Sequence, residues 1–377
     1  MTQLTFYNLG NADCCRIDLR NDDRMLIDYA NMRDEKDKDD KRCNLPELLW
    51  EDLGELETET YRVVAFTHLD RDHIQGSSEF FYLEHAKKYQ DGKRAKIETM
   101  WVPAAAITEE GLEGEARIIR SEARHRLKEG KGIIVFSRPE KLKEWLAEND
   151  LTVEDRADCI IDAGKLVLGF SLSNDHVEFF VHSPHAHTSD DGEVEDRNSG
   201  SLVFQARFEE GGEHTDVLFT ADVDHEDLGR IVDKTRSKGN NDRLHWNVYE
   251  LPHHCSFHAI GPEKGKDKTS PTAEVKWLCE EQGEKLGYVV STSDVIPSKE
   301  SAEDKNVQPP HRQAANYYKE DVVETSRFLV TMERPNALNP KPIVIKIGST
   351  GAVFKSASGA TVAAGAATTA PRAGFHE

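Results

Sequence analysis

The chain has 377 residues, 37% of them hydrophobic, and a formal charge of −21, so it can bury one large core or two smaller ones. So acidic a surface repels polyanions at long range, which argues against a protein that coats nucleic acid, while a locally basic groove stays compatible. No apolar stretch approaches the roughly 20 residues a membrane-spanning helix needs. The opening MTQLTFYNLG also lacks a basic region followed by an apolar run, so a soluble, cytoplasmic protein is expected.

The first elements in chain order are two strands, TFYNLGNADCCRIDL and MLIDYA, separated by a turn at Asn21-Asp22-Asp23. Residues 33–42 are too charged to pack and form a solvated loop. Asn44-Leu45-Pro46-Glu47 opens a helix with Leu48, Leu49 and Leu53 on one side. An apolar strand, Val63-Val64-Ala65-Phe66, then stops abruptly at Thr67. A helix is expected over Glu79–Tyr89, a strand over Ile97–Val102, and a long charged helix from its cap at Thr108 to about Gly130. Ile133–Phe136 reads as a strand and Pro139–Asn149 as a helix, which makes 77–150 a helix-rich elaboration on the scaffold.

Strand patterns return at Lys165–Leu172, Val177–Val181, Ser201–Phe208, Asp216–Phe219, Trp246–Leu251, Gly287–Ser291, Phe328–Val330 and Ile343–Ile347. Helices are expected after Asp224, over Pro271–Gln282 and over Ala314–Tyr318. Residues 1–355 are read as one domain. The Ala/Gly/Thr-rich tail, 356–377, is expected to be disordered. None of the six cysteines stands in a C-x-x-C pair, so reduced thiols are expected, several of them packed in the core.

Four of the apolar runs end in potential metal ligands. The first delivers His68, Asp70, Asp72 and His73 within one tight loop. Two imidazoles and two carboxylates so close together are costly to bury unless a cation neutralises them, and this donor set suits zinc, with manganese or iron compatible. Val177–Val181 leads into His182, His185 and His187, any one of which can supply a ligand. Val217–Ala221 leads into Asp222, which can alternatively cap the next helix. Val248–Pro252 leads into His253 and His254. Neighbours on a strand face opposite ways, which favours His253 as the inward ligand and leaves His254 facing a second layer or the substrate. Four such strand ends point to one shared site in an α/β fold.

The motif His68-Leu69-Asp70-Arg71-Asp72-His73 resembles the H-x-H-x-D-H signature of the metallo-β-lactamase superfamily, with Asp in the second ligand position. That variant is similar to the metal-hydrolase domain of bacterial DNA-uptake channel proteins. The likeness continues in order through Asn8–Asp13, Leu26-Ile27-Asp28, Asn198–Val203, Phe219–Asp222, Leu251–Ser256 and Pro309–Arg312. It departs at Ala221 and Cys255, where the branch carries glycine.

The resemblance implies a four-layer αββα sandwich and two divalent metal ions, zinc foremost. His68, Asp70 and a histidine of 182–187 would hold one ion, and Asp72, His73 and His253 the other, with Asp222 bridging. A shared water would ionise between the metals and attack a phosphodiester, either in a nucleic acid or in a small molecule. Asp72 would orient it, and His254 and His311 would contact the substrate or protonate the leaving group. Carbon esters, lactones and thioesters are the alternative substrates. A protein partner docked through 77–150 is the expectation for a regulated subunit.

Overall fold

The computed structural model describes residues 2–185 and 200–355. The tail 356–377, His187 and the Asn198–Ser199 part of the resemblance lie outside them. Strands β1 (Gln3–Phe6), β2 (Cys15–Asp18), β3 (Arg24–Ile27), β4 (Thr60–Ala65), β5 (Lys96–Pro103), β6 (Ile133–Phe136) and β7 (Ile160–Ile161) belong to one sheet. β8 (Val177–Ser183), β9 (Val203–Glu210), β10 (Glu213–Phe219), β11 (Trp246–Glu250), β12 (Gly283–Ser291) and β13 (Phe328–Val330) form a second. β14 (Ile343–Gly348) and β15 (Gly351–Lys355) return to the first, giving orders β15-β14-β1-β2-β3-β4-β5-β6-β7 and β13-β12-β11-β10-β9-β8.

The chain is α/β, with four layers, and strand alternation builds them. In β4, Val64 faces outward into a helix-covered layer, while Val63 and Ala65 face the second sheet. In β10, Val217 and Phe219 face the first sheet and Leu218 faces helices. Apolar stripes at helical spacing close the outer layers. Leu45, Leu49 and Leu53 of helix α1 (Leu45–Glu55) cover the first sheet. Leu228, Ile231 and Val232, on the helix His225–Ser237, cover the second. Trp101 fills the space between the sheets, edge-on to Phe136, Phe170, Phe179 and Phe204.

Segment 77–150 contributes β5 and β6, both parallel to their neighbours. Its helices Gly114–Glu129 and Glu140–Ala147 spend their apolar stripes (Ile119, Ala123 and Leu127; Leu142 and Leu146) on the sheet's outer face. None of the helices described is long and apolar enough to cross a membrane.

Several local expectations are corrected. Glu79–Tyr89 is not a helix. Ser77–Phe80 makes one short turn, and Phe81 then turns extended because Tyr82 N–H donates to Ala95 and Ala95 N–H to Phe80. Packing of Phe80 and Phe81 on Tyr29 outweighs helical propensity there. Thr108 does not cap the long helix, which starts at Gly114, because its hydroxyl donates back to the Ala104 carbonyl. Lys165–Leu172 makes only an isolated bridge at Leu166 and is broken by Gly169 at φ +87°. Pro271–Gln282 splits into a short α-turn, Ala273–Lys276, and a wider turn, Trp277–Glu281. β7 and β15 were not anticipated.

Candidate metal centre

Parallel pairing of β3 with β4 and of β10 with β11 puts their carboxyl ends at one edge of the sandwich. Main-chain bonds stitch the loops that follow. Asp13 N–H donates to the Asp72 carbonyl, Tyr29 N–H to His73, and His253 N–H to Ala221. At this edge Asp13, His73, Asp222 and His254 gather ligand atoms within 4.8 Å of one another, all of them buried, and His68, Asp72 and His73 form an overlapping group.

Each donor is aimed by its neighbours. His73 Nδ1 lies 2.8 Å from Asp28 Oδ2, which leaves Nε2 facing the centre, 3.3 Å from Asp222 Oδ1 and 3.6 Å from Asp13 Oδ2. Asp28 is itself fixed by the backbone N–H and the hydroxyl of Thr67. His254 Nδ1 donates to the Thr292 carbonyl at 2.8 Å, so Nε2 turns inward, 3.3 Å from Asp72 Oδ2 and 3.9 Å from Asp222 Oδ1. His68 Nε2 lies 3.9 Å from both Asp70 and Asp222 Oδ2, and His253 Nε2 is 4.0 Å from that same Oδ2.

Three of these inward atoms, His68 Nε2, His73 Nε2 and Asp222 Oδ1, are buried without a well-formed hydrogen bond. Orphaned polar atoms are expensive in an interior, and here they share one focus, as donors to a divalent cation would. Their protonation fits that reading. Burial alone would discharge His254, but Asp222 and Asp13 outweigh it and lift the imidazole to about 9. His73 is likewise raised, against its burial, by Asp222, Asp28 and Asp13. Burial pushes Asp13 up to about 6. Burial also disfavours the charge on Asp222, yet His73 and His254 hold it ionised. Without a cation, protons on the two imidazoles balance the carboxylates, and metal binding would release them.

Of the sequence candidates, His68, Asp70, Asp72, His73, Asp222, His253 and His254 come together. His254 faces the donors, fully buried, while His253 stands at the mouth with its side chain 28% exposed. Strand alternation does not govern this pair because His253, His254 and Cys255 all lie beyond β11 in left-handed backbone, with φ of 51°, 51° and 66°.

His182 is not brought to the centre. Its ring lies on the helix side of β8, with Nδ1 3.1 Å from Thr235 Oγ1 and Nε2 2.9 Å from the Arg243 carbonyl. His185 lines a surface cavity of about 740 Å³ with Ser137, Asp162 and Lys234, and belongs to neither donor group. His311 is buried behind the centre. Nδ1 accepts from Phe257 N–H, Nε2 bonds the Val307 carbonyl, and its own N–H holds the Cys255 carbonyl. Both ring nitrogens are thus used in bracing the loop after His254, not in facing a substrate. Asp13 and Asp28 were missed as site residues. Each follows a strand in the motifs quoted for the resemblance, the one signal that marked them.

No protein-family model matches this chain, and no curated protein does. Among solved structures it is similar to a diphosphatase of the PhnP family, at 11% identity over 83% of this chain and 94% of that one, with a TM-score of 0.30. A β-lactamase from Chitinophaga pinensis shares 13% over 65% and 76%, with a TM-score of 0.30. A subclass B3 metallo-β-lactamase of Bradyrhizobium japonicum shares 14% over 65% and 75%, with a TM-score of 0.27. Likeness at this level carries no functional argument, which rests on the chain's own residues.

Proposed function

We propose that this chain is a metal-dependent hydrolase of the metallo-β-lactamase superfamily, and that it cleaves a phosphoester, a phosphodiester foremost. The observation that carries the reading is the buried cluster of Asp13, His73, Asp222 and His254, whose ligand atoms lie within 4.8 Å of one another, with His68 Nε2, His73 Nε2 and Asp222 Oδ1 lacking a well-formed hydrogen bond. Two divalent ions held there, zinc first by donor chemistry, would supply Lewis acidity and a water ionised at neutral pH.

The chain's own groups do the positioning. Asp222 offers Oδ1 and Oδ2 to different imidazoles, the arrangement of a bridging carboxylate. Asp72, with its side chain 30% exposed, stands between the buried donors and solvent. Burial would raise its pKa, but the His254 hydrogen bond and the nearby His73 hold it ionised at about 2. It can therefore accept an O–H from the attacking water and orient its lone pair at phosphorus. Two cation positions side by side suit in-line phosphoryl displacement, in which attacking and leaving oxygens both need charge stabilisation. The H-x-D-x-D-H resemblance supports the same substrate class. The charge of −21 favours a short or small phosphodiester over long duplex.

The test is turnover of bis-p-nitrophenyl phosphate after chelation and reloading with Zn²⁺ or Mn²⁺. Metal-restored cleavage is the expected result. Silence with either metal, alongside cleavage of a lactone or thioester, would transfer the function to carbon-ester hydrolysis.

A further inference from the structure

Around Asp222 the donors divide into two sets of different character. Oδ1 is 3.3 Å from His73 Nε2 and 3.9 Å from His254 Nε2. Asp13 closes this inner set, with Oδ2 3.6 Å from His73 Nε2. Oδ2 is 3.9 Å from His68 Nε2 and 4.0 Å from His253 Nε2, with Asp70 a further 3.9 Å from His68. Exposure distinguishes the rims of the two. Side chains of Asp13, His73 and His254 are 8%, 0% and 1% exposed, with Asp72 at the edge beside His254 30% exposed, whereas in the outer set Asp70 and His253 are 33% and 28% exposed around a buried His68.

We infer that the two metal subsites are unequal, and that Asp13 is the ligand that makes the inner one a closed site of four protein donors (Asp13, His73, Asp222 and His254). The outer subsite, at His68, Asp70, His253 and the other oxygen of Asp222, keeps an open face where substrate enters. Four protein ligands without solvent are the pattern of a tightly held, structural ion, whereas an open position is the pattern of an exchangeable, reacting one. The grouping differs from that implied by the sequence resemblance, because His253 joins His68, and Asp13 with His254 joins His73. Asp13 is available because the β1–β2 turn is pinned by its N–H to Asp72 O. Charge favours the same order. The inner set places two buried carboxylates on one ion, which compensates both at once.

This inference rests on the two-metal reading above, and the experiment separates them. Chelator-stripped protein is titrated with Zn²⁺ by calorimetry, with bound metal counted by elemental analysis and folding checked by circular dichroism. Wild type should show two classes differing at least tenfold in affinity. Asp13→Asn, nearly isosteric, should weaken the tight class at least tenfold and spare the weak one, and His253→Asn should do the reverse. Two equal classes, or an Asp13→Asn protein that is folded and keeps the tight class, overturns the inference and leaves the hydrolase reading intact. Absence of any bound Zn²⁺ in wild type overturns both.

Discussion

Asp28 Oδ2 lies 2.8 Å from Nδ1 of His73, and both oxygens of that carboxylate are fixed by Thr67. This one contact sets which nitrogen of His73 faces the centre. Such outer partners of a ligating imidazole are typically worth roughly 10–100-fold in metal affinity. Asp28→Ala is therefore expected to weaken metal binding by about that factor while the protein still folds, measured by competition with a chromophoric chelator. Unchanged affinity would show that His73 needs no support.

In the proposed hydrolase Asp72 would act on the attacking water and not build the core. Asp72→Asn keeps the shape and removes the charge, so kcat for a phosphodiester should fall by about 10²-fold or more with KM little changed. Steady-state kinetics on the metal-loaded protein decides this. A rise in KM at constant kcat would make Asp72 a substrate-binding group instead.

His311 braces the segment after His254, its backbone N–H on the Cys255 carbonyl and its ring on Phe257 N–H and the Val307 carbonyl. Loss of the ring should destabilise the fold by about 1–3 kcal/mol, the cost of leaving its two buried partners unmade. Denaturant unfolding of His311→Ala measures that. The pH profile of turnover should keep both limbs in the variant. Disappearance of the acidic-form limb would return His311 to proton transfer.

The pH dependence of stability carries a signature of His182. Burial lowers its imidazole to about 4, from an ordinary 6.5. Above 6.5 neither folded nor unfolded chain holds a proton there, so the group has no effect. As pH falls from 6.5 to 4 the unfolded chain takes up the proton and the folded one resists. Stability should therefore decline across that window by up to about 3 kcal/mol. His182→Gln, which cannot titrate, should flatten that portion of the curve. Identical curves for the two proteins would contradict the buried, neutral assignment.

The layers were legible because burial follows period-2 and helical patterns, and the long elements of the core obeyed them. Motif His68–His73 and Asp222 were legible because ligands crowd the ends of apolar runs. What the sequence hid was orientation. In β8, Val177, Phe179 and Val181 face the other sheet, so His182 shares the helix side with Phe180, yet nothing in the alternation says which side bears the site. His253 and His254 read as neighbours on a strand, whereas both lie in left-handed backbone that non-glycine residues rarely adopt. Asp13 read as an ordinary turn residue because its partners, His73 and Asp222, are far away in the chain and meet it only after the sheets pack.

Bound metal, counted by elemental analysis of the purified, zinc-equilibrated protein beside Asp222→Ala, is the most direct measurement. About two ions per chain are expected in wild type, falling sharply in a variant that is folded by circular dichroism, because Asp222 faces both donor sets. A wild-type protein that retains no divalent ion, or a folded Asp222→Ala protein that keeps both, would contradict the metal centre on which the functional reading stands.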